Sequence, residues 1–174
     1  MSGSNGDEDL IALYQGIILD HGRNPRNKGC IPNHTCLSEG RNPLCGDRVA
    51  VTALIKNDVL TDVRFDGRGC AISIASASMM TVVLSGQTKK EAKRIFEFVK
   101  LLCTEDIEPN QLASSVDGEL EPCLQELMSL SGVRKFPVRV KCATLPWYAF
   151  MSCLDGKKTA TTENVPSQLG NKET

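Results

Sequence analysis

A chain of 174 residues with 41% hydrophobic content is long enough for one compact domain with a real core. Its 20 basic and 21 acidic residues leave a formal net charge of −1, which excludes a global field drawing it to nucleic acid or membrane, so partners must be recognised locally. The acidic, polar start is unlike a signal peptide and no stretch approaches the roughly 18 apolar residues of a membrane span, which predicts a cytosolic protein.

Residues 1–9 read as a polar tail. Apolar side chains at Leu10, Ile11, Leu13, Tyr14, Ile17 and Ile18 then fall near a helical period, and His21-Gly22 with Asn24-Pro25 ends that helix. His21 and His34 lack a neighbour at ligand spacing, which makes them capping or surface histidines. A loop punctuated by Pro25, Gly29 and Pro32 leads to a short strand near Thr35 to Gly40.

The bend Asn42-Pro43-Leu44-Cys45-Gly46-Asp47 comes next. Proline presets the backbone, glycine lets it turn, and a thiolate and a carboxylate leave one tight curve, half of a tetrahedral zinc site. On the motif alone, the other reading is a turn carrying a buried cysteine. Val49 to Ile55 is rich in β-branched residues, Asn57-Asp58 marks a turn, and Val59 to Phe65 runs back, so the pair forms a β-hairpin. Antiparallel return delivers Cys70 to the end where Cys45 and Asp47 lie. Gly67 and Gly69 allow a turn into a helix through Ala71 to Met80, and a thiol at a helix N-terminus has its thiolate favoured.

Thr88 to Leu102 reads as an amphipathic helix with a solvated face at Lys89, Lys90, Lys93 and Arg94. Thr104 to Glu121 reads as a looped insertion, and Pro122 to Leu130 as a short helix stopped by Ser131-Gly132. Cys103 and Cys123 flank the insertion and sit at buried spacings. Val133 to Thr144 leads through Arg139, Lys141 and Cys142 into a last helix around Trp147 to Met151. From Asp155 the chain is polar and is expected to be disordered. The organisation is therefore a tail (1–9), one domain (10–154) and a second tail (155–174). In a reducing compartment the eight cysteines are expected as buried, metal-bound or catalytic thiols rather than disulfides, and the absence of any C-x-x-C pair disfavours ribbon and thioredoxin-like readings.

Taken in order, Leu13-Tyr14, Asp20-His21, Asn24-Pro25-Arg26-Asn27, the bend at Asn42 to Asp47, Gly69-Cys70-Ala71-Ile72-Ser73, Ala75 to Met79, and Arg139 to Ala143 with Trp147 resemble the SufU family, relatives of the IscU and NifU iron–sulfur scaffold proteins. The resemblance implies an α+β fold, a small antiparallel sheet covered by helices. It implies zinc on Cys45, Asp47, Cys70 and Cys142. It also implies an activity, accepting persulfide sulfur from a SufS-like, pyridoxal-phosphate cysteine desulfurase and passing it to downstream iron–sulfur assembly proteins.

In IscU-like proteins a histidine precedes the last cysteine, and here that position is Lys141, a poor metal ligand able to lower the pKa of a nearby thiol. This and the insertion favour the sulfur-transfer branch. Three thiolates and a carboxylate on Zn²⁺ carry a formal charge of about −2, which Arg139 and Lys141 are placed in sequence to offset. If Arg139 and Cys142 share a helical turn, Arg139 could donate to a ligand sulfur. Cys45 is the expected sulfur acceptor and Cys142 its rival. Three function classes follow: a sulfurtransferase, a scaffold for a transient iron–sulfur cluster, and a structural zinc domain.

Overall fold

The computed structural model describes residues 4–116, 118–120 and 124–161. Helix α1 (Ser4–Arg23) begins before Leu10, taking in part of the segment read as a tail. Three strands follow, β1 (Cys36–Asn42), β2 (Asp47–Lys56) and β3 (Val59–Arg68). The turn between β2 and β3 places Asn57 at φ 50° and Asp58 at φ 67°, the paired left-handed conformation that matches the twist of a two-residue hairpin.

A correction concerns the sheet and the chain after Asp155. Thr159–Thr161 forms β4, which runs parallel to β1, so the sheet is mixed, in the order β3-β2-β1-β4, rather than purely antiparallel. A Thr-Ala-Thr run extends readily, and an open backbone edge on β1 gives it partners. Residues 162–174 lie outside the described part.

Alternation along the strands sends Val49, Val51, Ala53, Val63 and Phe65 to the inner face, where they are fully buried beneath helices. Helix α2 (Ala71–Leu84) and helix α3 (Lys89–Thr104) follow the hairpin, α3 opened by a capping box between Thr88 and Glu91. The insertion holds a short helix, α4 (Pro109–Ser114). Of the stretch expected as a helix over Pro122 to Leu130, residues 122–123, Cys123 among them, lie outside the described part, and Leu127–Lys135 forms a 3-10 helix with Ser131-Gly132 inside it. The last helix, α5 (Pro137–Leu154), starts well before the Trp147 region, with Pro137 in its first turn, where a missing N–H costs nothing. Among the described residues no helix is long and apolar enough to cross a membrane.

Small residues in α2 allow α5 close approach. Ser76 donates to the Ala143 carbonyl and accepts from Trp147 Nε1 at 3.0 Å, joining the two helices inside the core. Ser76→Ala is expected to leave that fully buried indole N–H unpaired and to cost about 1–3 kcal/mol in urea denaturation. An unchanged midpoint would show that the indole finds another acceptor.

Two further expectations are overturned. His21 is neither a cap nor a surface group: it is 2% exposed and lies 2.7 Å from Ser78 Oγ and 2.8 Å from Glu126 Oε2, because α1 docks against α2. Cys36 and Cys153 form a disulfide, with Cα atoms 5.3 Å apart, because the inner side of β1 faces the end of α5. Cys103 is a buried free thiol, and its burial pushes its pKa up to about 12.

Candidate metal centre

The sheet end nearest the β1–β2 bend gathers groups from three parts of the chain. Asn42 closes β1 and shapes the bend: its carbonyl accepts from the Gly46 N–H at 2.9 Å and its side-chain Oδ1 from the Leu44 N–H at 3.2 Å, while Gly46 takes φ 72°. Cys45 thereby stands exposed at the tip beside Leu44, which is 71% exposed. Asp47 pairs across from Asn42 as the first residue of β2, so it turns inward and is buried at 3% exposure.

The return strand ends at Arg68, and Gly69 lets Cys70 become the N-cap of α2. Asp47 Oδ1 accepts from the Cys70 N–H at 3.0 Å, and Oδ2 lies 3.7 Å from Cys70 Sγ. A side chain on Gly69 would collide with Ser73 Oγ and lie 2.8 Å from Asp47 Oδ1, so this glycine is what permits the close approach. Cys142, from the first half of α5, comes in from the other side, 4% exposed, with its Sγ 3.7 Å from that of Cys45. Donor atoms of Cys45, Asp47 and Cys142 lie within 4.8 Å of one another, and Cys70 joins them through Asp47. All four residues singled out in the sequence are therefore brought together.

Arg139 behaves differently. It shares a helical turn with Cys142, yet its guanidinium lies over the Phe136 ring, 5.0 Å from the centroid, and makes no hydrogen bond to a sulfur among the described residues. Lys141, next to Cys142, is half-buried and has no ion pair among the described residues. Ser73 was not anticipated. Its hydroxyl donates to the Cys70 carbonyl at 3.1 Å and lies 3.8 Å from Cys70 Sγ; the signal was a serine three positions after a helix-capping cysteine.

Electrostatics explains what this arrangement lacks. A hydrogen bond from the Cys142 thiol is the largest influence holding the Cys70 pKa down at about 6, with the backbone and hydroxyl of Ser73 helping. That same bond, followed by burial and by Asp47, pushes the Cys142 thiol far upward. Burial is the main reason the Cys45 thiol is also raised. Unaided, the group holds one thiolate beside its carboxylate. Three sulfurs and a carboxylate brought from three segments of the chain suit a borderline dication such as zinc, which would let all three sulfurs ionise.

In metal-free protein, Cys70 is expected to alkylate with iodoacetamide with a midpoint near pH 6, against an ordinary thiol near 9.0, because the nucleophilic thiolate is lost only below its lowered pKa. Buried Cys103 is expected to stay unmodified. Peptide mapping across pH checks both, and a Cys70 midpoint near 9 would contradict the hydrogen-bonding described.

A family model described as the NifU-like N terminal domain matches residues 13–118. The zinc-dependent sulfurtransferase SufU of Bacillus subtilis (strain 168) is 39% identical over 141 residues, spanning 81% of this chain and 88% of its own. The iron–sulfur cluster assembly scaffold protein IscU of Streptococcus pyogenes serotype M1 is 34% identical over 162 residues, spanning 91% and 92%. Among solved structures, a proposed iron–sulfur cluster assembly scaffold for the SUF system from Fervidobacterium islandicum AW-1 superposes with a TM-score of 0.66 at 31% identity, over 79% of this chain and 93% of that one. A mixed four-stranded sheet under helices, a cysteine–aspartate bend at its end and matches over most of the length agree: this chain belongs to the NifU-like N-terminal domain family.

Proposed function

We propose that this protein is a zinc-dependent sulfurtransferase of the cytoplasm that accepts persulfide sulfur from a pyridoxal-phosphate cysteine desulfurase and passes it to iron–sulfur assembly proteins. The observation that carries the reading is the convergence of Cys45, Asp47 and Cys142 donor atoms within 4.8 Å where Cys45 alone projects from an exposed bend. The likeness to SufU over 81% of the chain supports it. Cys45, Asp47, Cys70 and Cys142 would hold the zinc, which when bound keeps ligand sulfurs as thiolates at neutral pH.

Cys45 is the acceptor in this proposal. Its sulfur attacks the outer sulfur of the donor persulfide. The donor S–S bond breaks, its electron pair leaves on the donor cysteine as thiolate, and a new S–S bond forms on Cys45. Asp47 acts by fixing the Cys70 backbone and sulfur at the start of α2. Cys142, the rival acceptor, is 4% exposed, which disfavours direct attack by it on a partner protein. Lys141 and Arg139 are assigned supporting roles near Cys142, Arg139 only after its guanidinium leaves Phe136.

The test is multiple-turnover alanine production from cysteine by a cognate desulfurase, with and without catalytic amounts of zinc-loaded protein. A severalfold acceleration is expected. No acceleration with zinc confirmed bound overturns the proposal. A stable chromophore on anaerobic reconstitution with iron and sulfide would favour the scaffold reading that the Streptococcus pyogenes relative suggests.

A further inference from the structure

Three arginines stand directly opposite one another across the sheet. Arg41 on β1 pairs with Arg48 on β2, and Arg48 pairs with Arg68 on β3. All three project to the outer face, because Asn42, Asp47 and Gly67, one position along each strand, face inward. Like charges set directly across strands are unfavourable, so this row breaks a rule of sheet construction one residue from the metal centre.

Relief is partial. Glu39, one step further from the bend on the same face, accepts from Arg48 Nε at 2.6 Å and Arg41 Nε at 2.8 Å, which holds its carboxyl below the usual range. The side chain of Arg68 has no ion pair or hydrogen bond among the described residues, and neither do the Nη groups of Arg41 and Arg48. Arg41 and Arg48 are 62% and 45% exposed. The row borders a groove of about 400 Å³ that Asn42 and Thr161 also line. Asn42 is 1% exposed, and its Nδ2 donor is buried without a partner, as is the Thr161 hydroxyl. The unspent positive charge thus lies on the outer face of the sheet, beside the bend that carries Cys45.

We propose that the Arg41–Arg48–Arg68 row is the docking surface for an acidic, extended segment of the protein that donates sulfur to Cys45. The inference rests on the sulfur-acceptor reading and adds how the donor is held. A protein delivering sulfur to Cys45 must bring its own sulfur into bonding distance and so covers the face immediately beside the bend. Strands about 4.8 Å apart spread the three guanidiniums over roughly 10 Å, a span that successive carboxylates of an extended segment can match with forked hydrogen bonds. With a net charge of only −1 on the whole chain, attraction of an acidic partner has to come from such a local cluster.

The test varies the concentration of zinc-loaded protein as the sulfur-accepting substrate of the desulfurase. Wild type is compared with Arg41→Glu/Arg68→Glu and with Arg64→Glu, a control on the same face that pairs with Asp62 away from the bend. At about 0.05 M salt the double reversal is expected to raise KM about tenfold or more, with the loss falling on KM rather than kcat and shrinking toward about 0.3 M salt. Arg64→Glu is expected to stay within about twofold of wild type. Bound zinc and circular dichroism report that each variant is folded. Wild-type acceleration with unchanged KM in the double reversal would overturn the docking inference alone, whereas no acceleration by wild type would remove the acceptor function and the inference with it.

Discussion

Replacing Cys45 with alanine is expected to return alanine production to the rate of the desulfurase alone, a larger loss than any other single change near the site. The expectation comes from access combined with chemistry. Cys45 is an exposed thiol at the tip of a bend whose neighbours Asn42 and Gly46 hold it outward, while Cys142 behind it is buried and Cys70, also exposed, is engaged by Asp47 and Ser73. Removing a nucleophile typically costs several orders of magnitude in the step it performs, and no second thiol stands in the same place. Mass spectrometry after one turnover is expected to find the persulfide on Cys45 in wild type and none on Cys45→Ala. Persulfide formed on the alanine variant to the wild-type extent would transfer the acceptor role to Cys70 or Cys142.

Gly67→Ala is expected to be the most destabilising substitution around the site. Gly67 sits opposite Val49 with φ 145°, a conformation that side-chain-bearing residues rarely adopt. A β-carbon there would overlap the Arg48 carbonyl oxygen and lie 3.0 Å from Val49 Cα. Both obstacles are backbone, so neither can rotate away. Strand β3 would have to lift from β2 just where it delivers Cys70, and the cost is expected at about 3 kcal/mol or more, accompanied by weakened zinc retention. Gly132→Ala, where a β-carbon meets nothing within 4 Å, is the control, expected to shift stability by no more than about 0.5 kcal/mol. Urea denaturation and metal analysis of the two variants check the prediction; equal stability would contradict the close β2–β3 approach.

Local chemistry made part of this molecule legible from the chain. Asn57-Asp58 between two β-branched runs specified the hairpin, and antiparallel return then placed Cys45, Asp47 and Cys70 together with no further information. Cys142 was reached only through family resemblance. Its helix begins at Pro137, well before the Trp147 region where the sequence placed it, because a proline can open a first turn. His21 was misread because a histidine before glycine at a helix end looks like a cap, whereas burial against Ser78 depends on how α1 packs. The Cys36–Cys153 bond joins positions 117 residues apart, a separation that carries no spacing signal. Strand β4 is a borrowed conformation: three small residues extend because β1 offers them partners. Arg139 had the right spacing and a nearer aromatic ring.

The one tryptophan of the chain also turns the molecule into its own optical gauge. Trp147 is fully enclosed in α5, and its N–H is tied to Ser76 in α2. Cys70 caps α2 and Cys142 lies in α5, so both helices lead into the metal centre. Any loading, stripping or partner contact that shifts one helix against the other must alter the surroundings of this single indole. Its emission wavelength and lifetime would then follow the occupancy of the centre in real time, without an attached dye.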